Sequence, residues 1–293
     1  MLNVTDKSIS GVYGLAEFIA ATKDDAHNPE NKDTLNRWRN ENNDASEKEW
    51  MGLENEIKDG EMHEDCTRRL IEDGWPEGLE LLNEIANKIT APVPVSIRRT
   101  TSWRDAGDDV DMQRIWSGNL DKAWRTTSRA NRTGPNRIRI LIDAIEGGFV
   151  EAKHMRWKGA SAMKLCDLLT EAGYNVQLES CVKTKCDGQD LDCRIIVKDY
   201  EQPMIVSSIA ATTILPAFFR SLIHSWGLIV AKKRRYDISM SVPDDMPANA
   251  FKDGDDNSLS FVIPKSVRKE EDAANIVNKI LTEIDRVRNK EME

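Results

Sequence analysis

At 293 residues the chain is long enough to bury a sizeable core, and a composition of 40% hydrophobic and 31% charged residues with 10 prolines excludes disorder throughout. The formal charge of −9 is uneven: residues 1–92 hold 10 Lys and Arg against 21 Asp and Glu, and the remainder 31 against 29, which excludes the front segment as a general nucleic-acid surface. No apolar run reaches the ~18 residues that a membrane span needs, and Met1–Asp6 has neither the basic opening nor the apolar stretch of a secretory signal, so the sequence predicts a cytoplasmic protein with no membrane partner.

Val12–Ala21 carries Tyr13, Leu15, Ala16, Phe18 and Ile19, an apolar element read as core or as a face against a partner. Thr22–Lys48 is polar and Asn-rich, with Trp38 and then Trp50 as anchors. Glu61–Glu72 ends at Asp73-Gly74-Trp75-Pro76, where Gly stops one helix and Pro suits the first turn of the next. Glu77–Ile89 places Leu79, Leu82, Ile85, Ala86 and Ile89 on one helical face. Ala91-Pro92-Val93-Pro94 then breaks the pattern. It divides an acidic, mainly helical region, 1–92, from an α/β region, 93–293.

Val93–Arg99 alternates as a half-buried strand does, and 100–136 suggests only short elements. Arg137–Ile145 is alternating and then continuously apolar, the pattern of a strand buried on both faces. After a loop holding His154 and Trp157, a helix over Gly159–Ala172 stops at Gly173, and Tyr174–Leu178 resumes strand alternation. This strand, helix and strand should set two parallel neighbours side by side. Arg194–Val197 predicts a further strand after a turn at Asp187–Asp190, and Ile205–Trp226 a helix in two pieces broken at Pro216. Tyr236–Val242 reads as a strand, Asp244–Asn257 as an acidic loop and Ser258–Ile263 as a last strand. Glu270–Val287 is an amphipathic helix with Ala273, Ile276, Val277, Ile280, Ile284 and Val287 in one stripe.

Cys66, Cys166, Cys181, Cys186 and Cys193 form an odd set with no zinc-like spacing, so free thiols are expected. The sharpest chemical pair is Asp143 and Glu146 at a strand end, where ligands of open α/β sheets bind. Two carboxylates there suit a divalent cation or acid–base work, with His154 as the one loop histidine nearby. The structural alternative is that they cap the loop or pair with Arg156 or Lys153. A second group, Lys122, Trp124, Arg125, Arg129 and Arg132, is basic with an aromatic interleaved, as a nucleic-acid backbone and a stacked base require. Its alternative is a solvated basic surface that pairs with acids of its own or a neighbouring chain. The run Lys232–Arg235 reads as the exposed end of a helix, and no nucleophile elbow, P-loop, dinucleotide fingerprint or His-Glu-x-x-His occurs.

Arg137–Ser180, with Lys158–Leu165 and Glu171–Val176, resembles the core of the von Willebrand factor A fold. Together with Asp73–Gly78 and Gly107–Asp111 it resembles a group of uncharacterised tailed-phage proteins, over roughly residues 70–225. The resemblance implies a three-layer α/β sheet flanked by helices behind a helical N-terminal segment. It also implies a phage-encoded, non-enzymatic binding or assembly protein of the host cytoplasm or the virion, acting on a protein partner or on itself. The fold's metal site needs serines two and four residues after its Asp, and here Ile145 and Gly147 follow Asp143. No cofactor is therefore expected. A Mg²⁺-assisted hydrolase or nuclease using Asp143 and Glu146 is the alternative, and a sequence-independent nucleic-acid binder the third reading.

Overall fold

The computed structural model describes residues 2–5, 8–31, 45–94, 100–106, 109–128, 136–147, 150–186, 189–202, 206–230 and 258–290. The architecture is mixed α/β. Strands β1 (Leu2–Val4) and β2 (Ser8–Gly14) precede helices α1 (Leu15–His27), α2 (Ala45–Met51), α3 (His63–Glu72) and α4 (Pro76–Lys88). A small antiparallel sheet follows, made of β3 (Thr100–Arg104), β4 (Asp109–Val110) and β5 (Trp124–Ser128) in the order β3-β5-β4, with a short helix α5 (Met112–Trp116). Then come β6 (Arg137–Asp143), α6 (Ala152–Ala172), β7 (Asn175–Cys186), β8 (Gln189–Lys198) and α7 (Val206–Thr213). A π-helical stretch, Phe218–Ile223, leads into α8 (His224–Val230), and β9 (Leu259–Ile263) and α9 (Glu270–Lys290) close the chain.

The main sheet has the order β1-β2-β8-β7-β6-β9. β6 is parallel to both β7 and β9, whereas the hairpin β7–β8 is antiparallel and β8 pairs in parallel with β2. Carboxyl ends of β6 and β7 therefore lie at one rim of the sheet, and those of β2 and β8 at the other. β6 reads as a continuous apolar run because both of its faces are buried. Ile138, Ile140 and Ile142 join the main helical core, while Leu141 packs with Cys181 and Val262 on the reverse face.

Three elements extend beyond the sequence reading. β7 continues to Cys186 and β8 begins at Gln189, so Gln189 and Asp190, expected in a turn, belong to the strand. α6 begins at Ala152 rather than Gly159, which puts His154 and Trp157 on its first turns and not on a loop. Glycine is a poor helix former, so residue order alone gives no reason to carry the helix back through Gly159. Its place is set by packing: a Cβ there would meet the Thr213 carbonyl and come within 2.6 Å of Ile214 Cγ2, where α6 crosses the end of α7. Gly159→Ala is accordingly expected to cost about 1–3 kcal/mol, as overpacking does, measured as a lower midpoint in urea.

β2, which lies before the boundary expected at residue 92, is part of the same sheet as β6. Ile9 and Tyr13 of β2 enter the same core as β6, and β2 pairs with β8 from Ser8↔Asp190 to Gly14↔Ile196. Trp226 of α8 seals this edge, its Nε1 donating to Tyr13 Oη at 3.2 Å across an edge-to-face ring contact. The break at Pro216 is where expected, between α7 and the π-helical stretch. Val93, 86% exposed, and Pro94 lie outside any strand, and residues 95–99 of the strand expected at Val93–Arg99 lie outside the described residues, as do Lys232–Arg235, Tyr236–Val242 and Asp244–Asn257. Among the described residues no helix is long and apolar enough to cross a membrane.

Candidate functional site

Asp143 is the last residue of β6 and Glu146 lies three residues on, so the expected strand-end pair forms, and both side chains are buried. Asp143 Oδ1 accepts a hydrogen bond from the Ile145 amide at 3.0 Å, turning the chain as it leaves the strand. Oδ2 is buried and has no hydrogen-bond partner among the described residues. Burial raises the Asp143 carboxyl to about 6, against the opposing pull of Lys158 and the Ile145 amide.

The cation beside this pair is neither Lys153 nor Arg156. Lys158 reaches in from α6, its ammonium donating to the Asp143 carbonyl at 2.7 Å and lying 3.0 Å from Glu146 Oε1. Burial pushes the Lys158 ammonium towards its neutral form, and Glu146 and Asp143 oppose this. The second Glu146 oxygen accepts from Arg268 Nη2 at 3.1 Å, from the loop between β9 and α9. Lys153 instead pairs with Glu151 at 2.6 Å on the surface. Sequence reasoning missed both true partners. Lys158 left one signal, a lysine on the stripe Met155, Ala162, Leu165 and Leu169 that faces the core. Arg268 left none, because it arrives from 122 residues away.

His154 is near the group but not joined to its carboxylates by any described hydrogen bond. Its Nδ1 lies 3.1 Å from the Arg268 carbonyl, which makes it an N–H donor there, so the imidazole holds the loop that carries Arg268. Asp143, Glu146 and His154 thus sit around one loop, while the hydrogen-bonded centre is Asp143, Glu146, Lys158 and Arg268.

These residues do not fit a divalent cation. Hard cations of this size take six or more oxygen ligands. Here both hydroxyl positions are Ile145 and Gly147, and an ammonium stands 3.0 Å from the Glu146 oxygen that a metal would use. Among the described residues no three His, Cys, Asp or Glu side chains gather as a metal set.

A second buried charge group lies on β6–β8. Glu179 of β7 is 3.7 Å from Arg139 of β6 and 3.8 Å from Arg194 of β8, and Arg139 Nε donates to Ser260 Oγ of β9 at 3.1 Å. Arg139 is thereby committed inside the sheet. Cys66, Cys166, Cys181 and Cys193 are buried free thiols, as expected.

The basic segment is only partly within view. Arg129 and Arg132 lie outside the described residues. Lys122 is exposed and Trp124 half-buried on the small sheet, where Arg125 Nη2 pairs with Asp109 Oδ2 at 2.6 Å. Arg114 pairs with Asp111 at 3.3 Å and stacks 4.0 Å over the Trp103 ring. Arg125 of this sheet and Arg114 of α5 are thus both directed to nearby acids.

In sequence, residues 9–287 match the model of a family described as a domain of unknown function, DUF7192. No curated protein and no solved structure matches the chain.

Proposed function

The chain belongs to the DUF7192 family, and we propose that it is a phage-encoded, non-enzymatic binding or assembly module built on a von Willebrand A-like core. The observation that carries this reading is the Lys158 ammonium paired with Glu146 and bonded to the Asp143 carbonyl. In the resembled fold a metal ion at the corresponding rim presents a charge to the ligand. Here an internal ammonium occupies that rim and pairs with Glu146, one of the two carboxylates that a metal would need. The strand order around β6 adds support, because β8-β7-β6-β9 with one parallel crossover and one antiparallel hairpin is compatible with such a core. Likeness of fold carries function only by analogy.

On this reading the partner is a protein or a second copy of the chain, in the host cytoplasm or in the virion. Purified protein is expected to turn over no nucleotide, nucleic acid or peptide with or without Mg²⁺, and calorimetry to show no Mg²⁺ or Mn²⁺ uptake. Turnover that Asp143→Ala abolishes would overturn the proposal and install the metal-assisted hydrolase in its place. Mass spectrometry of purified particles separates the two locations.

A further inference from the structure

The rim of the sheet opposite Asp143 holds a cleft that the strand-end group does not explain. It opens beyond the carboxyl ends of β2 and β8, the parallel pair, with a volume of about 850 Å³. Clefts beyond the carboxyl ends of strands are where open α/β sheets take ligands, and sites for small organic molecules run from about 300 to 1,000 Å³. The walls are apolar: Ile196 and Val197 of β8, Ile71 at the end of α3, and Leu15, Ile19 and Ala20 along α1. Ser208 of α7 closes one side and is held there by its hydroxyl, which donates to the Ile71 carbonyl at 2.9 Å. Ala16 and Ala20 are small and exposed, so the α1 wall leaves the opening clear.

Charge on the lining is one-sided. Glu17, Glu72 and Asp199 line the cleft against a single ammonium, Lys23. Asp199 is fixed in place, since its Oδ1 accepts from Gln177 Nε2 at 2.8 Å and from the Tyr200 amide at 2.7 Å. Both of those donors are neutral amides. An apolar trough with a net negative lining selects an occupant with a hydrocarbon body and a cationic head.

From this geometry we infer that the cleft between α1, α3 and the ends of β2 and β8 is a binding site for a small amphipathic organic cation of the alkylamine class. The inference is independent of the assembly reading, because it uses the other rim of the sheet and none of its residues.

Three probes with one chain length and different head groups test it: octylamine, octanol and octanoate, each titrated calorimetrically below its aggregation concentration into the full chain. Octylamine is expected to bind saturably, and octanol and octanoate at least roughly tenfold more weakly. Ala20→Trp, on an exposed wall position, is expected to fill the cleft and remove octylamine binding. Glu72→Lys should weaken it by roughly fivefold, the worth of one partly exposed ion pair, and keeps the test open should the tryptophan variant fold poorly. Absence of saturable octylamine binding overturns the inference, as does octanol or octanoate binding equally well, or octylamine affinity unchanged in both variants.

Discussion

Glu146→Leu is expected to lower the free energy of unfolding by about 3–5 kcal/mol, because it removes one partner of a buried ion pair and leaves the other charge uncompensated. The Glu146 and Lys158 side chains are 0% and 3% exposed, so neither can turn to water without opening the loop. Lys158 would keep only the carbonyls of Asp143 and, at 3.4 Å, Ile145. Arg268 contributes little to the loss, since its side chain is 45% exposed and can be solvated when its acceptor goes. Replacing both members, as Glu146→Leu with Lys158→Met, should recover at least half of the loss, since an apolar pair of similar volume is often as stable as the ion pair it replaces. A double-mutant cycle in urea reads the coupling directly. Additive losses would show that Lys158 and Glu146 do not act as a unit, and the internal-cation account of this rim would fail with them.

The parts of the fold that could be read from residue order are those with local causes. β6 announces itself by an apolar run whose last six residues are buried, α6 by its stop at Gly173 with φ 99°, and the break before the π-helical stretch by Pro216. β2 could not be read in the same way. Ser8-Ile9-Ser10-Gly11-Val12-Tyr13-Gly14 is short and glycine-rich, and it becomes a strand by pairing with residues 190–196, some 180 positions away. Gly11 makes room for the edge-to-face pair, since a Cβ there would come within 2.6 Å of the Tyr13 ring and 3.2 Å of the Trp226 ring. The α6 start was obscured for a related reason: Gly159 answers to α7, which follows it by about 50 residues, and not to its own helix. At the site, Asp143 and Glu146 were readable because a strand end is a local feature. The cations that complete it were not, since Lys158 looks like an interruption of an apolar stripe until the sheet is placed beneath it.

Asp143 gives the second large effect, expressed as a dependence on pH. Its carboxyl is raised from 3.8 to about 6, chiefly by burial. Between those values the folded protein holds a proton that the unfolded chain has released, so stability falls as pH rises through this window and levels off above it. Asp143→Asn lacks the titration but keeps an oxygen to accept from the Ile145 amide. The stability of the wild-type protein relative to the variant is therefore expected to fall by roughly 3 kcal/mol between about pH 3.5 and 7.5, each pH unit across which the two states differ by a proton being worth ~1.4 kcal/mol. Taking the difference cancels the other titrating groups, and any constant cost of burying the new amide drops out because only the slope is read. The sign separates two physical pictures of this rim. If desolvation dominates, with Oδ2 unpartnered, the difference falls with rising pH. If the Lys158 ammonium dominated, Asp143 would be held below its ordinary value and the difference would rise between about pH 2 and 4. Urea melts of the two proteins at half-unit pH steps decide between them, and a rising difference would place Asp143 in the ion pair rather than beside it.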